Sequence, residues 1–356
     1  MAFNFKYVPT LRSRQQELIV LTRFPFGPRI FPLLEIIKEK DRVNNLQPAQ
    51  EIWRDYINRI QSERVLVDLP AYIKDSAAMN TEVLRFNRTV LQNVDNKIAF
   101  YQSLAASSPK LIPVVSSLHL KTGEANTISK QIDQLRDNFP VIAVRTFTNT
   151  FDLDLIEIKA KLIADDIIIY DLDTVQPYNP LARKQSAVLN TVEGVYKVAL
   201  RSAINIEIQN TKLDHEEIVA DADNSLIEVF NSILKVDAFG DFVGIKKDDL
   251  NAGGTISPGF IFYDPIENLY YGYKGNIKNL SEFEETIVPA VLGSAVVAEL
   301  LAHHPDFVNA DNFGYKILND IRAGIENGKS QAKFKRISIE HYLHSIKIKV
   351  ERGDFD

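Results

Sequence analysis

Short apolar runs rich in β-branched residues recur along this chain, and segments of helical period separate them. That alternation limits the fold more than any other feature. The runs are Phe31–Ile37, Arg64–Leu69, Leu111–Ser116, Val141–Phe147, Asp166–Leu172, Tyr196–Arg201, Gly240–Ile245 and Gly259–Tyr263. Most are continuous rather than alternating, which is the pattern of strands buried on both faces of a parallel sheet. Between them, Pro48–Ser62 sets Ile52, Tyr56, Ile57 and Ile60 on one helical face, and Asn80–Gln92 does the same with Val83, Phe86, Val90 and Leu91. Thr127–Asn138 and Leu153–Ala164 follow suit. Strands alternating with helices form right-handed βαβ units. Eight predicted strands suit an α/β fold of the (β/α)8, TIM-barrel-like kind with a helical C-terminal extension. An open doubly wound parallel sheet is the alternative.

The pattern is disturbed toward the C-terminus. Gly253, Gly254 and Pro258 leave little room for a helix between the last two predicted strands, and Asn268–Lys274 alternates like one arm of a hairpin. A β-excursion is therefore expected over 264–275, packed by one face, with Tyr270 available at the surface for an interface. From Ser281 the chain reads as helical, over Ser281–Ala302 and Asn312–Glu326, with Ser281 and Glu284 spaced as a capping box. Ser338–Glu351 fits helix or strand. The expected domains are a barrel over 1–278, including the excursion, and a mainly helical extension over 279–356.

Composition excludes several classes. The chain has no cysteine, so disulfides, zinc–thiolate sites and cysteine nucleophiles are out. A net charge of −6 gives no support to a broad nucleic-acid surface. The apolar stretch Ile287–Ala302 is broken by Pro289 and Glu299 and reads as a buried helix, not a membrane span. Met1–Leu11 lacks the apolar run of a secretory signal, so a cytoplasmic location is expected. There is no P-loop, no GxGxxG after a strand and no GxSxG elbow, and the Gly253-Gly254 pair lacks the Lys-Ser/Thr of a phosphate loop. No cofactor is assigned.

In a barrel, chemistry gathers where strands end and βα loops begin. Glu35, Asp68, Arg145, Asp171, Asp173, Arg201 and Asp241 stand at or just beyond apolar runs. Any one of them, taken alone, reads first as a loop cap or surface ion pair; their recurrence on successive strands is what points to a mouth. Arg145 and Arg201, with Asp68, would bind an anionic ligand, since guanidiniums clamp phosphate and carboxylate in bidentate fashion. Glu35, Asp171, Asp173 and Asp241 would supply acid–base chemistry or hold a divalent cation. Asp171 and Asp173 would share one face of a strand around a cation or arginine; otherwise the strand ends at Asp171 and Asp173 caps a turn. His341 and His344 would lie on one side of a surface or interface helix, with Glu340 in the wrong place for a zincin motif. His303-His304-Pro305 reads as a helix end.

Several segments together resemble the phage T4 beta-protein-like family and its bacterial relatives. They are Tyr7–Leu18 (YVPTLRSRQQEL), the Pro-containing Phe31–Glu35, Val144-Arg145, Phe239–Phe242, Phe313–Gly328 and Ser338–His344. Tyr342-Leu343 separates the two histidines where the family pattern has them adjacent, so no role is carried over to them. The resemblance implies a phage-, prophage- or defence-related setting more than a reaction. Two functions therefore stand side by side. One is a barrel that binds or processes a phosphorylated or nucleotide-like small molecule at its mouth. The other is a non-catalytic scaffold, a partner subunit or homo-oligomer in a phage-related or anti-phage complex.

Overall fold

The computed structural model describes residues 3–247, 250 and 256–356. The Gly253-Gly254 pair lies outside them. The chain divides into two compact units: Met1–Arg201, Leu226–Asp241 and Asp249–Ala252 form one, and Ser202–Ser225, Phe242–Asp248 and Gly253–Asp356 form the other.

The first unit is a closed parallel barrel. Its strands are β1 (Tyr7–Arg12), β2 (Leu33–Glu35), β3 (Val65–Asp68), β4 (Leu111–Val115), β5 (Ala143–Phe147), β6 (Ile167–Asp171), β7 (Tyr196–Leu200) and β9 (Ala238–Asp241), paired in that order, with β9 returning to β1. The intervening β8 (Glu217–Ile218) belongs to the second unit. Six of the predicted strands form β2 to β7. Helices such as Ala49–Arg59, Val94–Ser103, Phe151–Lys161 and Pro180–Leu189 connect them. Their starts use the expected chemistry: the Asn93 side chain accepts from Asn96 N, and Asn179 accepts from Leu181 N ahead of Pro180.

The remaining two barrel strands differ from expectation. Tyr7–Arg12 is the opening strand although Pro9 sits inside it; proline brings no N–H to a ladder, which hides such a strand from a pattern search. The strand expected over Gly240–Ile245 is displaced to Ala238–Asp241, and it stops there because Val243 and Gly244 turn to φ +50° and +68°. Gly259–Tyr263 is not a barrel strand. It pairs antiparallel, as β10 (Gly259–Asp264), with β11 (Leu269–Lys274), and β11 pairs with β8. The hairpin turn is made by Asp264 Oδ1, which accepts from Ile266 N, and by Asn268 at φ +57°.

The second unit packs β10 and β11 against the helix Gln331–Arg352, which resolves the ambiguous C-terminal segment as helix. Phe260, Phe262, Phe283, Ile287, Val291, Leu318 and Phe334 fill its core. Tyr270 is 2% exposed and stacks with Tyr263 and Tyr342, so it is a core residue and not the surface contact expected. The stretch after Ser281 is a π-turn, a helix over Val288–Gly293 and a second helix over Ala295–His303 capped by Ser294. Ser281 does not form the capping box: its hydroxyl donates to Asn279, and Glu284 accepts from Gly328 N. His341 and His344 are buried rather than on a surface helix. Among the described residues, no single helix is long and apolar enough to cross a membrane; only the pair Phe283–Gly293 and Ala295–His303, bent by 49°, has the composition, and its apolar side fills the core.

Candidate functional site

Strand parity decides which side chains enter the barrel. The register sets Arg12 beside Glu35 and Glu35 beside Asp68 on one inward row. Phe147, Asp171, Leu200 and Gly240 form another. Arg145 rises between them from β5. Its Nε and Nη2 both donate to Asp171 Oδ2, at 3.0 and 2.6 Å, and Nη1 donates to Glu35 Oε1 at 2.8 Å and to Asp68 Oδ2 at 2.6 Å. Arg145, Glu35 and Asp171 are fully buried. Arg12 Nε reaches Glu35 Oε2 at 3.0 Å, and its Nη2 donates to the Tyr72 hydroxyl at 3.0 Å. That hydroxyl donates to Glu35 at 2.7 Å. The Tyr72 and Phe147 rings lie over the guanidinium of Arg145, 4.9 and 5.4 Å from its carbon.

One guanidinium thus binds three carboxylates from three other strands. Burial opposes its charge, but Asp171, Glu35 and Asp68 together outweigh that and hold Arg145 well above its ordinary value. Burial raises the Asp68 carboxyl, with Glu35 adding to the effect and Arg145 working against it. Burial likewise pushes the Tyr72 phenol well up, so it stays a neutral hydrogen-bonding lid. The guanidinium occupies the place between acids where a divalent cation would sit. Among the described residues, no group of three or more His, Asp or Glu side chains is arranged to hold a metal.

Four of the seven sequence candidates meet here: Glu35, Asp68, Arg145 and Asp171. Arg145 is buried rather than standing at an open rim. The other three do not contact it. Asp173 is exposed, with φ +54°, and its N–H donates to Asp171 Oδ1 at 2.7 Å; the strand ends at Asp171 and a turn follows. Arg201 and Asp241 come one residue after the inward Leu200 and Gly240, so they leave the outer face. Arg201 Nε donates to Val175 O at 3.0 Å, and Asp241 Oδ1 accepts from the Tyr7 hydroxyl at 2.7 Å.

Sequence reasoning missed Arg12, Tyr72 and Lys97. Arg12 ends the strand that Pro9 disguises. Tyr72 sits in the irregular chain after β3, where no period marks it. Lys97 carried a usable signal: it shares the helical face of Val94, Ile98 and Tyr101, an apolar stripe where a lysine is out of place. It is fully buried near Asp68. The Tyr101 hydroxyl, one turn on, accepts from Leu69 N at 3.0 Å and donates to Val114 O at 2.7 Å, which pins this helix to the ends of β3 and β4.

The sequence model of the family described as Beta protein matches residues 7–347. No curated protein matches the chain. Among solved structures, tryptophan synthase from M. tuberculosis in its aminoacrylate-bound form is similar at 7% identity and TM-score 0.37, over 69% of this chain and 84% of that one. A GH10 endoxylanase retrieved from a sugarcane soil metagenome is similar at 10% identity and TM-score 0.35, over 67% of this chain and 85% of that one. At these similarities neither likeness bears on chemistry.

Proposed function

The chain belongs to the Beta protein family, and from that premise and the buried charge network we propose that it binds or processes a small polar ligand at the C-terminal mouth of its barrel. The observation that carries the reading is Arg145, fully buried among Glu35, Asp68 and Asp171. Such a network is a poor way to gain stability. Desolvating the ions costs several kcal/mol each, and apolar packing of the same volume is often as stable or more so. A barrel centre that keeps it has a use for charge.

The charge balance refines the ligand. A phosphorylated or nucleotide-like molecule would have to be met by Arg12 and Arg145, and both guanidiniums already lie on carboxylates. Three acids against two guanidiniums suit a ligand that offers hydroxyl or amine donors, such as a sugar or the ribose of a nucleoside. Glu35 and Asp171 would accept those donors once Tyr72 swings away, and Asp68 would transfer protons.

A second reading has its own support. With Tyr72 bonded to Glu35 and its ring over Arg145, the network in this state works as an internal brace. That suits a non-catalytic subunit of a phage-related or anti-phage complex, the setting the family resemblance implies. Native mass spectrometry of the freshly isolated protein separates the two. A co-purifying small molecule that is lost in Asp171→Asn is the expected result. A protein partner in its place, with no small molecule in either form, would favour the brace.

A further inference from the structure

Lys97 and Asp68 hold an arrangement that the Arg145 network does not use. Lys97 Nζ is fully buried and, among the described residues, meets no hydrogen-bond partner. Asp68 gives Oδ2 to Arg145, while its Oδ1 is equally buried and equally unpartnered. The two groups act on each other electrostatically yet form no ion pair. A buried ammonium normally closes on the nearest carboxylate, because an unpaired buried charge is among the costliest things a fold can hold. A buried amine and a buried carboxylate oxygen that act on each other, both without a hydrogen bond, are two unspent polar atoms of this part of the barrel.

We propose that Lys97 is the covalent attachment point for a carbonyl compound, an aldehyde or ketone of the polar ligand class proposed above, with Asp68 as its proton shuttle. The inference rests on that reading and names the functional group it lacked. In the step, the neutral Nζ attacks the carbonyl carbon, the N–C bond forms and the carbonyl π pair moves to oxygen. One nitrogen proton passes to that oxygen by way of Asp68. A second transfer by the same route expels the oxygen as water and leaves a C=N bond. No oxidant or reductant is needed.

The surroundings favour this chemistry. A lysine becomes a nucleophile when burial or a neighbouring cation frees its lone pair near neutral pH. Burial is the larger influence on Lys97, Lys121 and Arg145 add to it, Asp68 opposes it, and the amine is lowered to about 8. The charged groups that act on it are Asp68 from β3, Lys121 from the short helix after β4 and Arg145 from β5. Burial holds Asp68 above the ordinary carboxylate range, as a shuttle requires. The Tyr101 hydroxyl is tied to backbone and leaves the amine unopposed.

The test uses the whole protein, glycolaldehyde as the probe and sodium cyanoborohydride to trap the imine, with peptide mapping of the adducts. At neutral pH, Lys97 should label on the order of a hundredfold faster than exposed lysines, because its unprotonated fraction is about two orders of magnitude larger. Its rate should rise with a half-point near 8 and fall in Asp68→Asn. Labelling of Lys97 no faster than that of exposed lysines would overturn the proposal. So would an unlabelled Lys97 in both wild type and Tyr72→Phe, a variant that loosens the covering ring without removing it. A co-purified polar ligand with Lys97 unlabelled would sink this inference alone. Lys97 labelling without any co-purified ligand would reverse that pattern.

Discussion

Arg145→Met removes the cation and keeps much of the side-chain volume. Three carboxylates, Glu35, Asp68 and Asp171, would then face one another without their guanidinium. Removing one partner from a buried ion pair costs about 3–5 kcal/mol, and here one partner serves three. Against a total stability of about 5–15 kcal/mol, the variant should be close to unfolding at neutral pH. The pH dependence makes the test specific. Burial already raises the Asp68 carboxyl against the pull of Arg145, so without the guanidinium the folded form holds the Asp68 proton more tightly than the unfolded chain does. Folding stability is then greatest below the unfolded carboxylate range near 4 and is lost as pH rises. The gap between variant and wild type should therefore narrow in acid, opposite to the effect of losing a surface ion pair. Trp53 is the sole tryptophan and is fully buried in the barrel unit, so its fluorescence reports urea unfolding of that unit. At pH 7 the midpoint should fall by about 1–2 M. A loss under about 1 kcal/mol, or a gap unchanged between pH 7 and pH 4.5, would refute the claim that the guanidinium neutralises the mouth.

Two further perturbations probe the second unit. His341 accepts from Asn312 through Nδ1, donates to Tyr263 O through Nε2 at 2.8 Å, and stacks on Phe262, so it is held as the neutral ring. Burial lowers it from 6.5 to about 4; a depressed histidine contributes stability above the unfolded value that is lost as pH falls. That is about 3 kcal/mol across the window from 6.5 to about 4, and His341→Gln should flatten that limb in hydrogen-exchange protection of Gln331–Arg352. Gly244 sits at φ +68° with Tyr342 Cγ 2.8 Å from where a Cβ would be. Gly244→Ala should cost on the order of 2 kcal/mol or more from strain and overpacking together, and a melting temperature equal to wild type would contradict it.

The barrel was legible because its strands are buried on both faces. A continuous apolar run such as Ile167–Asp171 admits few other readings. The opening strand was not, since Pro9 and the polar Thr10 and Arg12 interrupt it; closure supplies what its composition lacks. Gly259–Tyr263 misled because an antiparallel strand covered by a helix carries the same apolar signature as a parallel one. At the site, sequence order identified strand ends but not parity. Arg201 and Asp241 fall one residue beyond the inward row, and a single position moves a side chain to the other face of a sheet. Lys97 and Tyr72 come from connecting segments, where contacts rather than periods decide placement.

The pairing of β1 with β9 has a consequence during synthesis. β1 leaves the ribosome before the other barrel strands and can add β2 on one side soon after. Its other edge waits for Ala238–Asp241. At about 5–20 residues per second, that is roughly ten seconds or more with an open row of backbone donors and acceptors. Until then the nascent chain is an incomplete sheet able to recruit a strand from a neighbouring nascent chain. The seam shuts when Tyr7 pairs with Phe239 and its hydroxyl takes hold of Asp241. Asp241 is thereby part of the last-made joint, whatever else its carboxylate does. Weakening that joint should appear first as aggregation on the polysome, before any change in the finished protein.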